Sequence, residues 1–196
     1  KAYAAEKDIK SFGIKTRVAK NDQEENKYWT IRRQSFKLLP DHSKGKRTVP
    51  FIDDIVVRPE YLPEFLPQLE AILSRYDLTF TVAGHIGDGN FHIIPLDNIG
   101  DEKLKTIVPE LSKKVFDLVF QYGGSMSGEH NDGLVRTPYL KQMYGEQVYA
   151  LFEEVKDIFD PDRIFNPGKK VGETLEYETT HIDTDPTRHF AGEEKG

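Results

Sequence analysis

Apolar positions recur at helical spacing through most of this chain, and a few short runs break that rhythm. Residues 1–12 read as a helix stopped at Gly13, which suits a helix C-terminus. Ile14–Ala19 reads as a short strand. Asn21 or Asp22 can cap the next helix, with Glu24 and Glu25 near its electropositive end. Trp29, Arg32, Arg33, Phe36 and Leu39 then follow at helical spacing until Pro40 closes the element. Residues 41–47 form a polar, basic loop. Val49–Val57 reads as a strand with a double aspartate inside it. Pro59 suits the first turn of a helix, and Leu62, Phe65, Leu66, Leu69, Ile72 and Leu73 supply its apolar face.

Leu78–Ala83 and Phe91–Pro95 read as strands on either side of a glycine-rich turn, where Asp88-Gly89 is a hairpin signal. Asp101 caps a long amphipathic helix that ends at Gly123-Gly124, with Pro109 a kink or restart. A last helix runs from about Pro138 to Phe159. A turn that tight makes the hairpin antiparallel. The pattern therefore predicts an α+β fold, an antiparallel sheet covered by helices. It divides into a domain over 1–158, a terminal segment over 159–172 and a polar, flexible tail over 173–196.

Bulk properties narrow the function. The 196 residues suffice for a buried core, and 37% hydrophobic with 11% aromatic content is that of a folded chain. A formal charge of −6 with no basic block argues against nucleic acid or anionic membranes as partners. No run approaches the roughly 18 apolar residues of a membrane span. The chain holds no cysteine, which removes disulfides, thiolate nucleophiles and cysteine-bound metals, and suits a reducing compartment; a cytoplasmic location is expected. Lys1 opens what reads as the middle of a helix, so the sequence is expected to be part of a longer protein.

Two segments carry chemistry. In Gly84-His85-Ile86-Gly87-Asp88-Gly89-Asn90-Phe91-His92, two histidines flank the turn. Paired strands would bring their rings to facing ends, where they can converge as metal ligands; the same residues could equally be surface histidines beside a turn. Ser127-Gly128-Glu129-His130-Asn131-Asp132-Gly133 sets an acid beside an imidazole. Neighbours on an extended segment point to opposite faces, so the natural division gives metal to Glu129 and proton transfer to His130. A solvated polar loop is the alternative.

These motifs, followed by Phe159-Asp160-Pro161 and Asn166-Pro167-Gly168-Lys169, resemble the C-terminal region of the FAD-linked oxidase family over most of residues 20–170. That family includes D-lactate dehydrogenases, the glycolate oxidase flavin subunit and D-2-hydroxyglutarate dehydrogenase. The resemblance implies a substrate (cap) domain whose segment 159–172 returns to an N-terminal FAD domain absent from this chain. It implies His85, His92 and Glu129 as ligands of a divalent metal, commonly zinc or manganese, and His130 as general base. Trp29-Thr30-Ile31-Arg32 matches a pattern in which the arginine binds the substrate carboxylate. Asn166 would lie near the flavin. The implied reaction oxidises a 2-hydroxyacid, D-lactate or glycolate-like, to the 2-oxoacid and passes electrons to a further acceptor. The chain alone is expected to be inactive, and a homodimer is a candidate assembly.

The sequence departs from the family in three places. Asn131 replaces a common glycine, no lysine precedes Asp53-Asp54, and Ile94 stands where the hydroxyglutarate enzyme has a polar residue. These changes favour a substrate other than 2-hydroxyglutarate. Two rival functions explain less: a stand-alone metal-dependent hydrolase gives no role to Asn166-Pro167-Gly168-Lys169, and a non-catalytic interaction module leaves the histidines to the fold.

Overall fold

A computed structural model describes residues 1–42, 47–97, 102–172 and 174–184. The chain divides into two compact units, Lys1–Gly45 and Lys46–Gly196.

The first unit holds α1 (Ala2–Lys10) and α2 (Asp22–His42). Gly13 has a left-handed backbone (φ 73°) and donates its N–H to Lys10 O after α1. Asn21 caps α2: its Oδ1 accepts the Glu24 N–H at 2.9 Å, while the Glu24 carboxylate accepts the Lys20 N–H at 2.8 Å. This reciprocal arrangement satisfies two amides at the helix entrance. The helix runs two residues beyond Pro40, to His42. Ile14–Ala19 joins no sheet among the described residues.

The second unit contains an antiparallel sheet. Its strands are β1 (Arg47–Thr48), β2 (Ile55–Val56), β3 (Thr79–His85) and β4 (Asn90–Asp97). β3 pairs along the whole of β4, from Thr79↔Leu96 to His85↔Asn90. β1 and β2 share the other edge of β4, at its C- and N-terminal ends. The single strand expected over 49–57 is therefore split, because Asp54 takes a positive φ (68°) that no regular strand accommodates. Beyond β2, Val56 and Ser125 exchange two backbone hydrogen bonds, at 2.8 and 2.9 Å. Gly89 ends the hairpin turn with φ 71°, and a Cβ there would lie 1.8 Å from Val57 O. Only glycine fits that approach.

Alternation along β4 decides which face is which. Phe91 and Ile93 are buried beneath α3 (Leu62–Leu73) and α4 (Leu104–Gln121). Leu62, Phe65, Leu69 and Leu73 line one side of α3, and Leu104, Val108, Leu111, Val115 and Val119 line α4. Both spacings follow the helical period. The α+β architecture expected from the pattern is what forms. α4 passes Pro109 unbroken from Leu104; its expected Asp101 cap lies outside the described residues.

The helix expected over 138–159 is two helices. After the short α5 (Gly133–Arg136), α6 (Leu140–Tyr144) stops at Gly145, whose φ of 80° and ψ of 163° separate it from α7 (Glu146–Phe159). Within the stretch read as a polar tail, Leu175–Thr180 forms α8, capped by the Thr174 hydroxyl, with Glu178 buried. Residues 173 and 185–196 of that stretch lie outside the described residues. No described helix is long and apolar enough to cross a membrane.

Candidate metal centre

The hairpin register gathers the site. His85 pairs with Asn90 and Ala83 with His92, so His85, Asn90 and His92 share one face of the sheet, opposite the core. His92 is buried (8% exposed), whereas the His85 side chain is nearly half exposed. Their rings stand almost perpendicular, at 83° with centroids 5.9 Å apart.

The second motif reaches this face through Asp54. Its carboxylate accepts the consecutive backbone N–H groups of Gly128 (2.8 Å), Glu129 (2.9 Å) and His130 (2.8 Å). It also accepts the Asn90 amide at 3.0 Å. Burial alone would raise the Asp54 pKa. The hydrogen bonds from His130, Asn90, Glu129 and Gly128 outweigh burial and hold it below its ordinary value. Gly128 is the residue that permits this approach, since a Cβ would meet Asn90 Nδ2 at 2.7 Å and Val56 Cγ2 at 2.8 Å.

Glu129 Oε1 consequently sits among three imidazoles: 3.1 Å from His92 Nε2, 3.5 Å from His85 Nε2 and 3.6 Å from His130 Nε2. Ligands about 2.0–2.2 Å from a tetrahedral ion are separated from one another by about 3.3–3.6 Å. Each imidazole nitrogen therefore stands from Glu129 Oε1 at about the separation that two ligands of one divalent cation of the zinc or manganese kind would have.

Ring orientation separates the three histidines. His92 and His130 are stacked, 17° from parallel with centroids 4.9 Å apart. Both present Nδ1 to Asp53 and Nε2 to Glu129. Asp54 lies close enough to count as a ligand, within 4.8 Å of donor atoms of His92, Glu129 and His130. Both of its oxygens, however, are occupied by N–H donors. Asp54, His92, Glu129 and His130 form one group of donor atoms that could hold a metal ion, and His85 approaches the same Glu129 oxygen from outside that group. An open cleft of about 380 Å³, lined by Val56, His85, Asp88, Asn90, Gly128 and Glu129, adjoins them.

Asp53, Asp54 and Arg136 are functional neighbours that the sequence reading does not single out. Asp53 is buried and accepts at His92 Nδ1 (3.0 Å) and His130 Nδ1 (3.2 Å). Arg136 is buried behind them and donates to Asp53 O (2.6 Å) and Asn131 O (2.7 Å). Burial pulls the Arg136 pKa below its ordinary value, against the Asp54, Asp53 and Asp132 carboxylates. The one available signal was a pair of acids within the apolar run Phe51, Ile52, Ile55, Val57, all of it buried.

Arg32 is exposed on α2 in the first unit, its guanidinium carbon 5.8 Å from the Trp29 ring centroid. Asn166 is exposed at a turn closed by Lys169 N–H donating to its carbonyl at 3.2 Å, with a φ of 46° that asparagine tolerates. Asp160 organises the preceding loop by accepting the N–H groups of Ile164 (2.9 Å) and Phe165 (3.0 Å), and pairs with Lys156. Lys170 ties this C-terminal segment to the loop that follows His130 through Asn131 and Asp132.

An antiparallel hairpin bearing two histidines on one face, with a distant acidic motif clamped beside it, defines an α+β domain with a candidate metal centre. The family model of FAD linked oxidases, C-terminal domain, matches residues 1–170, and the chain belongs to that family. It is 30% identical over 141 residues to D-2-hydroxyglutarate dehydrogenase of Escherichia coli (strain K12), a match covering 72% of this chain and 14% of that protein. It is 28% identical over 167 residues to glycolate oxidase subunit GlcD of the same strain (83% and 32%). It is 36% identical over 117 residues to D-lactate dehydrogenase of Anaerostipes hadrus (59% and 25%). The matches thus span 14% to 32% of the length of these relatives.

Proposed function

We propose that this chain is the substrate-side portion of a flavin-dependent 2-hydroxyacid dehydrogenase, with a divalent metal held by His85, His92 and Glu129. The approach of Glu129 Oε1 to His92 Nε2 at 3.1 Å and to His85 Nε2 at 3.5 Å, beside an open cleft, carries the reading. Family membership supports the flavin, and the names of the three relatives all point to 2-hydroxyacids. Ile94 and the absence of a lysine before Asp53 favour a short substrate of the D-lactate or glycolate type.

When bound, the cation supplies Lewis-acid polarisation of the α-hydroxyl and the flavin supplies hydride acceptance. The chain's own residues do the rest. Glu129, His85 and His92 would hold the cation beside the cleft, where the hydroxyl of the substrate would reach it. His130, half exposed beside them, takes the hydroxyl proton at Nε2, the nitrogen turned towards Glu129. Val56 and Gly128 line the cleft without offering it a charge. Flavin contacts in this reading come mainly from a domain outside this chain, with Asn166 contributing from its exposed turn.

Metal analysis by mass spectrometry tests the assignment. The purified full chain should carry close to one equivalent of zinc or manganese, and the double variant His85→Ala/His92→Ala should carry less than about a tenth, with its circular dichroism unchanged. A wild-type chain that takes up neither metal after loading would overturn the reading.

A further inference from the structure

The Asp53 side chain has a use that folding alone does not require. Its neighbour Asp54 gathers backbone amides. Among the described residues, the hydrogen bonds of the Asp53 carboxylate go instead to two imidazoles, one to each oxygen: Oδ1 to His92 Nδ1 at 3.0 Å and Oδ2 to His130 Nδ1 at 3.2 Å. A carboxylate in this position only accepts, so both contacts require N–H at Nδ1. Each neutral ring is then left with its lone pair on Nε2. Those two Nε2 atoms are the ones that face Glu129. The stacking of the rings at 17° follows from one short carboxylate holding both by the same atom. Asp53 is itself held, since Arg136 fixes its carbonyl from the buried side.

We propose that Asp53 is a shared positioning residue: it sets the tautomer and direction of the His92 ligand and of the His130 proton acceptor at once. The inference rests on the metal reading above and assigns a common control to two groups with different tasks. A carboxylate oriented behind a ligand imidazole also raises its basicity, and removing such a partner typically costs about 10- to 100-fold in metal affinity.

Asparagine separates the two duties. Its side chain has nearly the shape of aspartate but a single accepting oxygen, so it can satisfy one Nδ1–H and must offer N–H to the other ring. That ring is then driven to the opposite tautomer, with hydrogen on Nε2. The test compares the full chain with its Asp53→Asn and Asp53→Ala variants. Long-range proton–nitrogen NMR of the metal-free protein reads the tautomers, cobalt(II) titration reads affinity and the visible ligand-field spectrum, and thermal unfolding monitors the fold. We expect Nδ1–H on both rings in the wild type, at least one ring changed in Asp53→Asn, and cobalt binding weaker by about 10- to 100-fold in both variants. Unchanged tautomers and unchanged cobalt affinity in both variants would overturn the role of Asp53 and leave the metal centre standing. A wild-type chain that binds no cobalt would overturn the metal centre and this role with it.

Discussion

At the scale of single residues, two adjacent aspartates divide the work of the site. Asp53 addresses side chains, and Asp54, fully buried, addresses the backbone of Gly128–His130. The positive φ of Asp54 makes the division geometrically feasible, because adjacent residues on a regular strand would face opposite ways. Removing the Asp54 carboxylate leaves several inward-facing N–H groups without an acceptor, each costing about 1–3 kcal/mol when buried. We therefore expect Asp54→Ala to lower unfolding free energy by on the order of 3 kcal/mol, measured by urea denaturation. Metal uptake should be lost at urea concentrations where the fold persists. A variant as stable as the wild type would show that the amides find other partners.

At the scale of elements, the hairpin was legible in the sequence, and the clamp that meets it was not. Strand alternation and the Asp88-Gly89 turn place His85 and His92 on one face with nothing but local chemistry. The role of Asp54 depends on Ser125–His130 running beside β2, a pairing between distant segments (Val56 with Ser125) that no local pattern encodes. The break at Gly145 was missed for the opposite reason: the apolar spacing continues through it, while the backbone does not. The loop after α7 is a further element built on one acid. Burial raises the Asp160 pKa, but the Lys156 ammonium and the N–H groups of Phe165 and Ile164 prevail and hold it below the ordinary 3.8. A depressed folded-state value means that Asp160 stabilises the fold above the unfolded pKa, and that this is lost as pH falls through the folded value. The melting temperatures of the wild type and Asp160→Asn should differ by a constant amount above about pH 5 and approach each other below 3.8. A difference independent of pH down to 2 would contradict the assignment.

At the scale of the molecule, the sheet and the helices α3 and α4 close one core, while α7 leaves apolar side chains outside it. Leu151, Val155, Ile158 and Phe159 on α7 are exposed, as are Ile164 and Phe165 after it. A cavity of about 450 Å³ lies beside them, lined in part by Phe152, Val155, Phe159 and Phe165. Exposed apolar surface of this kind favours association. Light scattering on the full chain should show an apparent radius that grows with concentration, and Leu151→Glu/Ile158→Glu should abolish that growth. The clamp has a consequence of another sort, in time rather than in space. His85 and His92 lie seven positions apart and can meet as soon as a hairpin forms, an event of microseconds. Glu129 arrives only when Asp54 captures amides 74 to 76 positions downstream. Closing so long a loop is entropically costly and belongs late in folding. A chain stalled before that closure offers a cation two imidazoles and no carboxylate, so tight metal capture would act as a timestamp for the completed fold.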